Sequence, residues 1–196
     1  MMELRVEVGN VKEVQQRLGA LGRKTPSVIA NAVNRTLTNV RKNMAQQTAQ
    51  RYNIASGEVK KTIAVKKATR EKLSGAAVSK ASPIALSKFK VSPNRPVSYS
   101  KGKKPSPKVY KVSVEKGPAS KALDVNPKAF IAIMQSGHHG LFRRVSDKSL
   151  PIKQLFGPSA PQMIKNNKTM DYIQKEAQST LQKRIDAEVE NILRKG

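Results

Sequence analysis

The sequence predicts an α+β fold with N-terminal helices, a mostly antiparallel β-sheet that carries a long basic loop, and a long C-terminal helix. Two observations predict the helices, since apolar residues recur at helical spacing over residues 26–50 and again from about residue 161 to the C-terminus. A third predicts the sheet, because the middle of the chain holds short apolar runs that Gly, Ser and Pro interrupt. The length of 196 residues suits a single domain.

The N-terminal residues predict a strand followed by a short helix. Residues 4–8 alternate between apolar and charged side chains, as in a strand with one buried face. Asn10 and Glu13 have the spacing of a capping box, in which Asn10 accepts a hydrogen bond from a free backbone N–H and Glu13 reaches back. Apolar residues at helical spacing then lead to Gly22, where we expect this helix to stop.

Two longer helices follow from the same periodicity. Thr25 and Pro26 predict the N-cap and first turn of a helix that extends to about Gln50. The C-terminal helix is predicted to begin near Pro161. The apolar stripes of the two helices are Ile29, Val33, Leu37, Val40 and Met44 in the first, and Met163, Met170, Ile173, Ala177, Leu181, Ile185, Val189 and Ile192 in the second.

A first hairpin is predicted around the basic loop. One strand ends near Val91, and a return strand at 109–114 places Lys111 on its outward face. Between them lies a flexible basic loop at about 92–108. Its Pro, Ser, Lys and Gly residues cannot bury enough apolar surface to order themselves.

A second hairpin is predicted in the C-terminal half. Residues 130–134 form a continuous apolar run, which we expect to be a central strand buried on both faces. A glycine-bracketed turn at 136–140 leads to a return strand at 141–145. Gly137 is expected to supply a residue with positive φ in this turn.

The composition excludes several classes of protein. The chain has no Cys, which excludes a disulfide scaffold, a thiolate metal site and thiol catalysis. No run approaches the roughly 20 apolar residues of a membrane span, and the N-terminus lacks the apolar core of a signal peptide. With 38 Lys and Arg against 13 Asp and Glu, the net charge of +25 predicts an anionic neighbour, which could be nucleic acid, a membrane surface or an acidic protein.

The sequence lacks the residues that enzyme catalysis requires, so we expect no catalysis, no cofactor and no bound metal. His138 and His139 are adjacent, and adjacent side chains on a strand point to opposite faces, so one metal would not take both. We expect instead that the turn packs an imidazole on a neighbouring side chain. Residues 72–146 contain only Glu115 and Asp124 as carboxylates, which makes a catalytic pair hard to assemble.

The basic loop is a candidate contact for a polyanion. Its candidate residues are Lys101, Lys103, Lys104 and Lys108. Contacts of lysine with phosphates give affinity that falls steeply with salt. Because 4 Phe and 4 Tyr are scattered singly, the chain lacks the stacking platforms of sequence-specific modules. A solvated loop and a non-specific nucleic-acid-binding protein of ribosomal or chromatin type both stay open.

One part of the sequence resembles a known family. The residues that carry the likeness are AFI at 129–131, Met134, SGHHGLFRR at 136–144, LPI at 150–152 and LFGPSAPQM at 155–163. In this order and spacing they resemble the minor tail protein Z family of tailed bacteriophages. Weaker likeness comes from Ala30, Asn34 and Arg35, from YNI at 52–54 and from VKKTI at 59–63.

The resemblance implies a structural virion protein of the neck or tail-completion class, with one such domain over residues 1–196. It implies a ring, expected to be hexameric, at the head-proximal end of the tail, where it helps to join tail to head. The implied partners are further copies of the chain, tail terminator or tail tube proteins, head–tail connector proteins and, non-specifically, phage DNA in the channel, with no membrane. The implied location is the virion tail or neck, after assembly in the host cytoplasm.

The resemblance also implies a set of interface residues, which simple packing within the fold would explain equally well. These candidates are Phe130, Met134, Leu141, Phe142, Arg143, Arg144, Ile152 and Phe156. Arg143 and Arg144 would point to opposite faces, with one of them pairing with an acidic neighbour.

Overall fold

The computed structural model describes residues 1–94, 110–123, 129–146 and 148–195. Helices and several small antiparallel sheets form two compact units, which confirms the α+β class. Unit 1 consists of Met1–Thr48, Ser56–Ala81 and Ala160–Gly196, and unit 2 of Ala49–Ala55 and Ser82–Ser159. That the two units behave as one domain stays a prediction.

Unit 1 begins with β1 (Met2–Glu7) and α1 (Val11–Leu18), as the sequence predicts. The Glu13 N–H donates to Asn10 Oδ1 over 3.2 Å, which confirms Asn10 as the cap. The predicted stop at Gly22 is wrong, because the α-helix ends where Gly19 adopts a φ of +52°. A 3-10 helix, Gly19–Lys24, follows it directly.

The long helix α2 (Thr25–Arg51) has the predicted length, but its predicted N-cap is wrong. Thr25 has helical dihedral angles, φ −49° and ψ −48°, and its hydroxyl donates to the carbonyl of Gly22 over 2.6 Å. The chain therefore enters α2 from the 3-10 helix without an extended cap residue. The buried apolar residues of α2 in unit 1 are Val28, Ile29, Ala30, Ala32, Val33, Leu37, Val40, Met44 and Ala45.

The sheet of unit 1 contacts α2. Its strands are β1, β2 (Ile63–Lys66) and β3 (Ser74–Ser79), in the antiparallel order β1-β3-β2, and the short helix α3 (Ser56–Lys60) precedes β2. A Cβ at Gly75 would lie 2.5 Å from Leu37 Cδ1 on α2 and 2.7 Å from the backbone oxygen of Lys66 on β2, and because this oxygen is part of the backbone, glycine is required here.

The predicted C-terminal helix is two helices, α4 (Ala160–Ile164) and α5 (Asn167–Leu193). The break has a local cause, because Asn166 is extended with a ψ of 129° and interrupts the helical ladder. Within unit 1, α5 is tied to α1 by the 2.8 Å ion pair of Arg17 with Asp186. Arg35 of α2 pairs with Glu188 of α5 over 3.1 Å.

Unit 2 holds three small antiparallel sheets. The first pairs β4 (Pro83–Ala85) with β11 (Phe156–Ser159), and a 3-10 turn, Leu86–Lys88, follows β4. The second joins β5 (Lys90–Ser92), β6 (Lys111–Ser113) and β7 (Lys121–Ala122). The third joins β8 (Ala129–Ile133), β9 (His139–Arg144) and β10 (Ile152–Gln154).

The first predicted hairpin is confirmed where the structure describes it. Val91 of β5 pairs with Val112 of β6, and Lys111 is exposed. Of the basic loop predicted at about 92–108, residues from 95 onward lie outside the described residues, and so do Lys101, Lys103, Lys104 and Lys108.

The stretch that contains Asn53 is held to β6 by hydrogen bonds. The Asn53 backbone N–H donates to the carbonyl of Val114 over 2.8 Å. Its side-chain amide donates to the carbonyls of Ser113 and Glu115, both over 3.1 Å, and to Ser113 Oγ over 2.9 Å. One side chain therefore satisfies three acceptors around the end of β6.

Candidate assembly interface

The sheet β10-β9-β8 carries most of the predicted interface residues. In its register Phe130 lies opposite Phe142, and Arg144 lies opposite Ile152. The predicted turn between β8 and β9 is confirmed, since Gly137 has a φ of +78° and its N–H donates to the Met134 carbonyl over 2.8 Å. The register places Phe130, Phe142 and Arg144 on one face, because side chains alternate along a strand.

The prediction that residues 130–134 form a central strand buried on both faces is wrong. The central strand is β9, and β8 pairs with β9 alone among the described residues. Ile131 is buried, Phe130 and Met134 are half-buried, and Ile133 is 60% exposed. A continuous apolar run has no period from which a central strand could be told from an edge strand.

Leu141 and Phe142 lie in the central strand and belong to the core of unit 2. The Leu141 side chain is fully buried, and Phe142 is buried almost as completely. The Leu141 carbonyl accepts from the Leu155 N–H over 2.8 Å, which continues the pairing of β9 with β10 by one residue. A Cβ at Gly140 would lie 2.6 Å from the Phe142 ring, so the ring rests over that glycine.

Aromatic and basic side chains, including Phe142, form a cluster on the face of this sheet opposite to that of Leu141. The ring centroids of Phe130 and Phe142 are 6.2 Å apart, and the Arg144 guanidinium lies 5.2 Å from the Phe130 centroid. His138 meets Phe142 edge-on at 6.2 Å, which confirms the prediction that an imidazole packs on a neighbouring side chain. Arg144 therefore has an aromatic neighbour, where the sequence predicted an acidic partner for one of the two arginines.

Large apolar side chains are exposed at both ends of the sheet β10-β9-β8. Val145 and Leu150 flank the connection from β9 to β10, and Leu150 is 67% exposed. Ile133 lies at the opposite end of the sheet, where it pairs with His139, five strand steps or roughly 17 Å from Arg144 at the other end of β9. Phe156, the predicted contact on β11, is 54% exposed. Val145 and Leu150 were not among the predicted contacts, although each adjoins a turn, whereas Ile133 lies within the predicted contact range 130–134.

The described part of unit 2 has one acidic residue, Glu115, which lies 3.9 Å from Arg51. On the second sheet, Lys90 and Lys111 share the exposed face, and Val91 and Val112 are buried behind them. The basic residues described in this unit are Arg51, Lys88, Lys90, Lys111, Lys116, Lys121, Arg143, Arg144, Lys148 and Lys153. The unit therefore presents an excess of positive charge even without the basic loop.

The described residues contain neither a cluster suited to a metal ion nor a helix suited to a membrane. No group of three or more His, Cys, Asp or Glu residues in that part of the chain lies close enough to hold a metal ion. No helix there has both the length and the apolar character needed to cross a bilayer.

Comparison with known families decides the broad assignment. A family model described as prophage minor tail protein Z (GPZ) matches residues 10–195. The chain belongs to this family. It is therefore a phage minor tail protein, and the family is a structural one of the virion tail. The curated proteins and the solved structures that were also compared with the chain gave no match.

Proposed function

We propose that this minor tail protein is a structural subunit of the tail-completion or neck region. Copies of it form a ring, expected to be hexameric, at the head-proximal end of the tail, and the ring helps to join tail to head. Its neighbours are then further copies, tail terminator or tail tube proteins, and head–tail connector proteins. The observation that carries the proposal is the family match over residues 10–195.

The exposed apolar side chains of unit 2 support a subunit that is held by interfaces. Ile133 and Leu150 stand more than half exposed at opposite ends of one small sheet. An arrangement with apolar residues on two ends suits head-to-tail contacts, which close into a ring when the rotation between copies permits. The half-buried Phe130, with the Arg144 guanidinium over it, offers a third contact between these two ends.

Amber-mutant phage that lack the protein test this role. We expect their lysates to contain heads and tails that are not joined, and wild-type protein supplied in trans should restore infectious particles. The double variant Ile133→Asp/Leu150→Asp should fold but restore joining poorly. Tyr172→Asp, at an exposed apolar residue of α5, is the matched control and should complement normally. Normally joined, infectious particles without the protein would contradict the proposal.

A non-specific nucleic-acid-binding protein is the second candidate, and the basic face of unit 2 favours it. It predicts strong, salt-sensitive binding of duplex DNA by the isolated chain, whereas a structural subunit predicts weak binding. Each lysine that contacts a phosphate would lower the salt slope by about 1 when it is replaced. Filter binding at several salt concentrations should compare Lys90→Ser/Lys111→Ser with Lys66→Ser/Lys67→Ser, which are exposed lysines of unit 1. The variant Lys101→Ser/Lys103→Ser/Lys104→Ser/Lys108→Ser tests the basic loop.

A further inference from the structure

A groove on unit 1 follows one edge of β1. Among the described residues β1 pairs with β3 on one side and with no strand on the other. Two hollows of about 320 and 460 Å³ lie between β1 and α5, and they share Glu7, Gln178 and Leu181. Because five consecutive residues of β1 line the larger hollow, from both faces of the strand, the groove lies along the unpaired edge.

The groove combines an apolar floor with an acidic rim. Leu4, Ala177 and Leu181 contribute apolar surface. The carboxylates at the rim are Glu3, Glu7 and Glu13. Of the two arginines in the lining, Arg17 is neutralised by its 2.8 Å ion pair with Asp186, which leaves Arg5. In a chain of net charge +25, this groove is a local excess of acidic side chains, which favours a positively charged ligand.

The chain itself contains a segment of matching chemistry. Residues 97–101, Val-Ser-Tyr-Ser-Lys, alternate between larger and small side chains as strands do, and Pro96 and Gly102 bound them. Residues 95–109 contain no Asp or Glu. Their basic residues are Arg95, Lys101, Lys103, Lys104 and Lys108. An unpaired strand edge binds an extended segment through backbone hydrogen bonds, and the flanking side chains give selectivity.

We propose that residues 97–101 of a second copy pair with the free edge of β1, with Lys101 and the lysines that follow it against the carboxylates at the rim. The proposal rests on the proposed function, in which copies of the chain associate, and it names the contact between them. Each subunit would give a segment to one neighbour and receive one from the other. Such a contact is heterologous, and repetition closes it into a ring.

Disulfide trapping tests the contact directly, because the chain has no cysteine of its own. Ser100→Cys and Gln178→Cys are made in separate full-length chains, which are then mixed and oxidised. We expect a cross-linked species of twice the 21.5 kDa mass, since a disulfide requires Cα atoms about 4.4–6.8 Å apart. The matched control mixes Ser100→Cys with Gln46→Cys, at an exposed residue of α2, and should give no such product.

Charge reversal tests the rim. Glu3→Lys/Glu7→Lys in the Gln178→Cys chain should lower the yield of the disulfide about tenfold at low salt, because several attractive pairs become repulsive. Lys101→Glu/Lys103→Glu in the Ser100→Cys chain should restore it. Glu71→Lys/Glu190→Lys makes the same change of charge at exposed residues outside the groove and should leave the yield unchanged.

Each outcome decides one claim. A yield no higher than that of the control, or one that charge reversal does not change, would overturn the proposed contact. If a chain with both cysteines gives only an intramolecular disulfide, the segment binds its own groove, and the second copy is excluded. Phage that join normally without the protein, while the disulfide still forms, would remove the proposed function but leave the contact. If no disulfide forms although phage need the protein to join heads and tails, the proposed contact is wrong and the proposed function remains.

Discussion

Two asparagine side chains fix irregular backbone, and both belong to the weaker part of the family resemblance. Asn34 on α2 holds Ala68 in both directions: its amide donates to the Ala68 carbonyl over 3.0 Å, and its carbonyl accepts from the Ala68 N–H over 2.8 Å. Asn53 holds the end of β6 through its amide donors, which donate to the carbonyls of Ser113 and Glu115. An amide carries a donor and an acceptor on one short side chain, which neither Asp nor Leu can replace.

Asn53→Asp should therefore destabilise the protein although it preserves side-chain shape. The amide donors are lost, and a carboxylate then faces the carbonyls of Ser113 and Glu115. We expect unfolding to require about 1–3 kcal/mol less free energy, measured by urea denaturation. Asn31→Asp, at an exposed position of α2, is the matched control and should change little. Equal stability of the two variants would show that the hydrogen bonds of Asn53 contribute nothing.

Three glycines provide a graded prediction for substitution by alanine. Gly140→Ala should cost about 1–3 kcal/mol, because its Cβ would overlap the Phe142 ring. Gly137→Ala has free space but must hold a φ of +78°, at a cost of about 1–2 kcal/mol. Gly57→Ala has neither constraint and should stabilise α3 by up to about 1 kcal/mol. Thermal unfolding should therefore give Gly57→Ala a higher melting temperature than either Gly137→Ala or Gly140→Ala. A melting temperature of Gly137→Ala or Gly140→Ala as high as that of Gly57→Ala would contradict the turn or the ring contact, respectively.

At the scale of elements, helices and strands that follow a periodic pattern were predicted well, whereas the single residues that interrupt a helix were not. The range of α2 and the register of β5 with β6 follow from apolar spacing, which extends over many residues. The end of α1 at Gly19 and the extended Asn166 depend on the dihedral angles of one residue each. No repeating pattern marks such a residue, so the sequence predicted a later stop and an unbroken helix.

The candidate interface was predicted only in part, for a related reason. Leu141 and Ile133 are both apolar residues in predicted strands, yet Leu141 is buried and Ile133 is exposed. The difference arises from sheet order, because β9 is central and β8 lies at an edge. Sheet order depends on long-range pairing, and local sequence contains no record of it.

The ion pair between α2 and α5 should matter more than its exposure suggests. Arg35 is largely exposed, but the Glu188 side chain is 7% exposed. Arg35→Ala leaves a buried carboxylate without this partner, so we expect a loss of about 1–2 kcal/mol after screening is considered. Urea denaturation should show recovery in Arg35→Ala/Glu188→Gln, which removes the charge.

An exposed ion pair of the same unit serves as the comparison. Lys61 pairs with Glu58 over 2.9 Å, and the Lys61 side chain is 75% exposed. Lys61→Ala should cost no more than about 0.5 kcal/mol. A loss as large as that of Arg35→Ala would mean that burial of Glu188 is not the cause.

At the scale of the whole molecule, the two units alternate along the chain. The backbone passes from one to the other after Thr48, Ala55, Ala81 and Ser159. Each unit therefore consists of segments that are separated along the chain. We expect one cooperative unfolding transition. The chain passes between the units four times, so unfolding of one unit removes the constraint on the ends of the segments that form the other.

Two probes can check this expectation. Far-UV circular dichroism reports mainly the helices of unit 1, and tyrosine fluorescence is sensitive to the buried Tyr52 and Tyr110 of unit 2. Leu141→Ala in unit 2 should cost about 2–5 kcal/mol and shift both unfolding curves equally. A shift confined to the fluorescence curve would show that the units unfold separately.

The alternation of segments also constrains how the gene can change. A single recombination crossover inside the gene would exchange a contiguous stretch of the chain. Every such stretch that extends beyond one segment contains residues of both units. A hybrid gene would then join strands and helices from two parents within one core. Neither unit can be traded by itself in this way, so the two are inherited as a pair.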